Sequence, residues 1–255
     1  MEVRFIAGND GLADALAVAL GDQGPEAAHA AASLAVDRIL HRWFERAENV
    51  GLHQSMSRHE IEVMTGEYLA EFATDPTLAT QRLTFQIMDR IAERLGALRL
   101  VDTTPANARK ADRLEPIYPQ SSVVVVTRDG RDVAASFASQ TFGPNNPYEA
   151  LSQWEQRMLR AHKAAARSRP GRVLTIELMD LVVRDRTATV ARLCDFVGVD
   201  VDPHMITWFD EQVTADGMHP GRWRADFDAE MTARLESQYE KACERLTAAG
   251  VAIPD

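Results

Sequence analysis

Two cysteines, Cys194 and Cys243, are too few for a disulfide framework or a zinc cluster, so the expected compartment is the reducing cytoplasm. Lysine is nearly as scarce. Lys110, Lys163 and Lys241 are the only three among 28 basic residues, so chemistry built on a lysine amine has few candidates. No apolar run approaches the roughly 20 residues of a membrane span, and the first apolar stretch lacks a signal peptide's basic leader and cleavage site. There is no G-x-S-x-G elbow for a hydrolase and no G-x-x-x-x-G-K-[ST] loop for a nucleotidase. No cluster with metal-ligand spacing is visible, and no metal is expected. What the chain does have is 255 residues with 45% hydrophobic and 26% charged content and a net charge of −10. Length is sufficient to bury about three quarters of the unfolded surface without staples. The charge argues against nucleic acid as a partner, because backbone affinity needs a basic surface. An acidic chain can still hold a small anion in a local arginine cluster.

Most of the chain reads as helix. Asn9 is a candidate N-cap for a stripe of Leu12, Leu16 and Leu20 that Gly21 stops. Pro25 opens a second helix with Val36, Ile39, Leu40, Trp43 and Phe44 on one face. Ser57 and Glu60 have capping-box spacing ahead of Ile61, Met64, Tyr68, Leu69 and Phe72. Pro76 begins a helix with Leu83, Ile87, Ile91 and Leu95 in line, ended by Gly96. These stripes read as core-facing surface.

The pattern then changes. Residues 98–102 form a short apolar run, and Thr104-Pro105 after it is a good helix start. Val123 to Val126 are four β-branched residues in a row, which fits a parallel strand buried on both faces. A third run, Arg172 to Leu178, precedes a helix carrying Val190, Leu193, Phe196 and Val197, where Cys194 reads as a small buried hydrophobe. Strand, turn and helix recurring at such intervals define an α/β fold with a parallel sheet flanked by helices. The helix-rich start reads as an insertion, and residues 1–255 as a single domain. Ligands of such sheets sit beyond the carboxyl ends of the strands.

Two clusters there carry chemistry. Arg128 follows the valine run and precedes a helix, where N–H groups and the helix dipole favour an anion. Ser136, eight residues on, can present a hydroxyl from that helix. Spacing alone equally allows Arg128 to cap the strand end by pairing with Asp129 or Asp132. The second cluster is His219-Pro220-Gly221-Arg222-Trp223-Arg224. It is either a phosphate clamp with a stacking tryptophan or a surface turn with a buried one.

Residues 124–136, from Val124 through Thr127-Arg128-Asp129-Gly130 to Ser136, resemble the 3′-phosphate motif of sulfotransferases that use 3′-phosphoadenosine 5′-phosphosulfate. His219 to Arg224 is similar to that family's late Gly-Arg-Trp-Arg segment, and residues 101–107 to its Asp/Glu-Lys-Thr-Pro-x-Asn segment. Leu193 to Val199 is similar to the Phe-Leu-Gly end of its acceptor-side helix. Glu2-Val3-Arg4-Phe5-Ile6 resembles the Glu-Thr-Arg stretch of protein-tyrosine sulfotransferases and their bacterial relatives. The resemblance implies a P-loop-like sulfotransferase fold. It implies that Arg128, Ser136, Gly221, Arg222, Trp223 and Arg224 hold the nucleotide co-substrate. Glu2 would be the catalytic base, with Arg4 and Thr103 on the substrate side. The reaction implied is sulfuryl transfer to a small-molecule or peptide hydroxyl, without a metal. An inert relative that binds a nucleotide or partner is the alternative. The departures are equally specific. No Pro-Arg/Lys-Ser-Gly-Thr-Thr loop for the 5′-phosphosulfate occurs, Thr103 replaces the usual lysine, and Leu178-Met179 replaces Tyr-Glu. The expectation is a reading frame continuing upstream of Met1, with natural truncation or a divergent phosphate loop as the rivals.

Overall fold

The computed structural model describes residues 3–48, 50–140 and 143–254. Contacts divide the chain into two compact units, residues 1–121 and 122–255. The described part of the first unit is helical, and the second carries a small parallel sheet among helices. The architecture is that of a mostly helical α/β protein, as the alternation of apolar runs and helical stripes indicates.

In the first unit, α1 (Arg4–Ala7) and α2 (Leu12–Ala19) lead into α3 (Pro25–Arg38), which continues as a π-helical turn over Ile39–Trp43. Then come α4 (Arg58–Phe72), α5 (Pro76–Leu95) and α6 (Ala111–Leu114). Ser57 and Glu60 close the expected capping box, and Asp75 caps α5, whose other end is the left-handed Gly96. Leu12, Leu16, Ile39, Ile61, Leu83 and Ile87 are among the side chains that build one continuous core.

Three local expectations fail. The cap of α2 is Gly11 rather than Asn9, and Leu20 lies beyond the helix end, 59% exposed. Residues 98–102 are not a strand, and Leu98 and Val101 are largely exposed. An isolated extended run gains no ladder hydrogen bonds. Here Asp102 instead accepts from the main chain and side chain of Thr104 and from Asn107 Nδ2. Pro105 opens no α-helix; a short 3₁₀ turn from Asn107 to Lys110 precedes α6.

In the second unit, β1 (Val123–Thr127) and β2 (Val173–Glu177) pair in parallel, with Val125 opposite Thr175. Between them in sequence lie α7 (Gly130–Ala138) and α8 (Pro147–Arg167). After β2 come a π-helical turn over Asp180–Arg184, then α9 (Arg186–Val197), α10 (Pro203–Gln212), α11 (Ala215–Met218), α12 (Trp223–Asp226) and α13 (Ala229–Ala248). The valine run is a strand, but only Val123, Val125 and Thr127 are buried. Val126 is 52% exposed, so burial on both faces does not hold, and the alternation is that of a half-buried strand. Cys194 is buried in α9, as its stripe predicts. The core joins α7, α8 and α13 through Ala134, Leu151, Trp154, Trp223, Leu235 and Tyr239.

Candidate functional site

The β1–α7 connection is built by close packing. Gly130 opens α7 against Trp154, and an added Cβ would stand 2.6 Å from that indole. The same Trp154 donates from Nε1 to the Arg128 carbonyl at 3.1 Å, which fixes the backbone at the carboxyl end of β1. Arg128 therefore enters the site from a rigid frame. Its Nη2 donates to the carbonyls of Met218 at 2.7 Å and His219 at 3.3 Å. The two basic clusters of the sequence, ninety residues apart, are thus in direct contact.

Carboxylates share this place. Asp129, the N-cap of α7, accepts from the Arg131 N–H at 2.7 Å, so it takes up one of the helix-terminal donors expected for an anion. Asp132 Oδ2 stands 3.4 Å from Arg128 Nη2 and accepts from the Gly221 N–H at 2.9 Å. The strand-end pairing that spacing allowed is therefore realised with Asp132. Ser136 follows Asp132 by one turn on the same face of α7, half-buried. Its hydroxyl makes no hydrogen bond among the described residues.

Trp223 is the largest fully buried side chain among the described residues, 1% exposed. Arg131 lies over its ring at 4.5 Å and over Tyr239 at 4.2 Å, while Arg224 lies over the indole at 4.3 Å. Burial opposes the Arg131 charge, but the Asp129 carboxylate, helped by Tyr239 and Glu236, holds the guanidinium above its ordinary value. Of the two clamp arginines, Arg222 is bound to Asp226 at 2.7 Å, whereas Arg224 is exposed apart from its indole contact. Trp223 is placed as a core residue. Its Nε1 is buried without a partner, as are Arg128 Nε and Asp132 Oδ1.

The remaining predicted residues lie in the first unit. Arg4 opens the four-residue α1, and Thr103 is exposed in the segment after Asp102. The Val3 N–H donates to Asp102 Oδ1 at 2.9 Å, which joins these two stretches across 99 residues of sequence. Glu2 lies outside the described residues. No group of three or more metal-binding side chains occurs among the described residues, and none of their helices is long and apolar enough to cross a membrane.

Sequence reasoning saw one participant only in part and missed another. Asp132 was visible only as a possible partner of Arg128, because its bond to Gly221 depends on tertiary structure. Arg131 gave no signal beyond its place beside Asp129, since the rings it stacks on come from distant segments.

A half-buried arginine at the carboxyl end of a parallel strand, met by a second basic segment, is the candidate site of an α/β protein. Residues 21–203 match the model of the sulfotransferase family, and the chain belongs to that family. Its class of activity is therefore sulfuryl-group transfer. The match includes Arg128 and Ser136 and ends before His219. No curated protein and no solved structure matches the chain.

Proposed function

We propose that the protein moves a sulfuryl group from 3′-phosphoadenosine 5′-phosphosulfate to an acceptor hydroxyl, with Arg128 as the principal contact of the nucleotide 3′-phosphate. The observation that carries this reading is the junction of Arg128 with the Met218–Arg224 segment. It brings Arg128 into contact with a segment that carries two further arginines, in a chain of net charge −10. Buried Arg128 Nε lacks an acceptor, and a phosphate oxygen supplies one. Ser136 adds a hydroxyl donor from the same face of α7. In the reaction, the acceptor oxygen attacks sulfur as the bond to the 5′-phosphate oxygen breaks. Adenosine 3′,5′-bisphosphate departs, and the acceptor proton passes to a carboxylate, the role assigned to Glu2. Such in-line transfer depends mainly on positioning and on stabilising the charge of the leaving phosphate.

Two opposing observations favour a second reading, an inert nucleotide- or partner-binding relative. The carboxylate of Asp132 already pairs with Arg128, and Arg222 is engaged with Asp226. Thermal denaturation with adenosine 3′,5′-bisphosphate or AMP tests the nucleotide site common to both readings. At a hundredfold excess over Kd, selective binding contributes about 2.7 kcal/mol, a rise of roughly 5–10 °C for a chain of this size. A melt that neither nucleotide moves, or that both move equally, overturns the 3′-phosphate assignment. Transfer of labelled sulfate to a hydroxyl acceptor then separates the enzyme from the inert form.

A further inference from the structure

Asp132 is 4% exposed and lies one helical turn beyond Arg128. Between them these two side chains hold three points of the late segment, the carbonyls of Met218 and His219 and the N–H of Gly221. A buried carboxylate is costly unless paired and fully hydrogen-bonded. This one is only half satisfied, because Asp132 Oδ1 and its neighbour Arg128 Nε are both buried without partners. The two tasks of the carboxylate need different properties. Accepting from Gly221 requires an oxygen, whereas pairing with Arg128 requires negative charge, the property that competes with an incoming phosphate.

We propose that Asp132 is a positioning residue that latches the Met218–Arg224 segment to the β1–α7 connection and holds Arg128 in an internal ion pair that a phosphate displaces. The latch rests on the hydrogen bonds alone, and the displacement rests on the phosphate reading of Arg128. Asp132→Asn keeps an oxygen and removes the charge; Asp132→Ala removes both. If the alanine variant does not melt cooperatively, Asp132→Leu fills the volume without supplying an acceptor.

The first readout needs no ligand. Trypsin cutting after Arg222 or Arg224 reports opening of the segment. Cleavage stays at the wild-type rate in Asp132→Asn and rises about fivefold or more in Asp132→Ala, the population change expected for one lost hydrogen bond. Equal rates in wild type and Asp132→Ala overturn the latch. The second readout is affinity for adenosine 3′,5′-bisphosphate. It tightens roughly three- to tenfold in Asp132→Asn, where a like charge is removed from the phosphate's neighbourhood, and falls to wild type or below in Asp132→Ala. A purely structural residue weakens binding in both variants and a purely repulsive one tightens both, so a shift in the same direction overturns the dual role. Arg128→Ala separates the two readings. If nucleotide affinity is indifferent to Arg128 while the cleavage pattern holds, the phosphate assignment fails and the latch stands.

Discussion

At the scale of single residues, Arg128 carries more than one interaction. Its guanidinium supports two main-chain carbonyls of the late segment and faces one carboxylate, and it retains a buried N–H without an acceptor. On the nucleotide reading proposed above, truncation to alanine removes a charge-assisted bond to a phosphate, worth about 1.5–3 kcal/mol. The expected loss of affinity for adenosine 3′,5′-bisphosphate is thus roughly ten- to a hundredfold. Arg128→Lys keeps a point charge but not the fork, and should fall between alanine and wild type. Calorimetric titration of the three proteins checks the series, and unchanged affinity in Arg128→Ala removes the residue from the nucleotide site. Asp102 has the same many-partnered character in the first unit. Its carboxylate accepts from Val3, Thr104 and Asn107, so the segment resembling the family's Asp/Glu-Lys-Thr-Pro-x-Asn stretch serves first as a structural knot.

At the scale of elements, the tightest constraint is the entry into α7. Alanine at position 130 would improve helix propensity by at most about 1 kcal/mol. Its methyl, however, would stand 2.6–2.9 Å from Trp154 and Leu151, both held in the core. Overpacking of this kind typically costs about 1–3 kcal/mol. The clash therefore wins, and Gly130→Ala should lower the melting temperature while loosening the Trp154 bond to the Arg128 carbonyl. A melting temperature equal to or above wild type would show that the indole yields freely. Elements governed by local chemistry were legible in the sequence: the β-branched run of β1, the Ser57–Glu60 capping box, and the Pro76 and Gly96 boundaries of α5. Residues 98–102 were misread because an apolar run becomes a strand only where a neighbouring edge receives it. The site was legible in part. The adjacency of Arg128 to a helix start could be read, but its carbonyl partners could not, since they lie ninety residues away and are fixed by packing.

At the scale of the whole molecule, the two units share an alkaline liability. Burial pushes the Tyr68, Tyr118 and Tyr239 hydroxyls well above the ordinary tyrosine value, with the Asp102 charge adding to the shift of Tyr118 and Asp129 to that of Tyr239. The first two belong to one unit and the third to the other. Above about pH 10 tyrosines of the unfolded chain ionise. Those of the folded chain stay protonated, so the unfolded state binds fewer protons and stability falls as pH rises. The slope contributed by each is at most about 1.4 kcal/mol per pH unit, beginning near pH 10 and ending only at the folded-state value. Below pH 9 these three groups contribute no slope. Tyrosinate absorbance should therefore rise together with loss of helical circular dichroism in a steep alkaline transition of the unit that holds each group. Tyr118→Phe removes one ionisable group without removing the ring that packs on Phe85, and should move that transition to higher pH. Buried tyrosines that titrated near pH 10 with the helical signal intact would show that alkaline solvent reaches their hydroxyls in the folded chain.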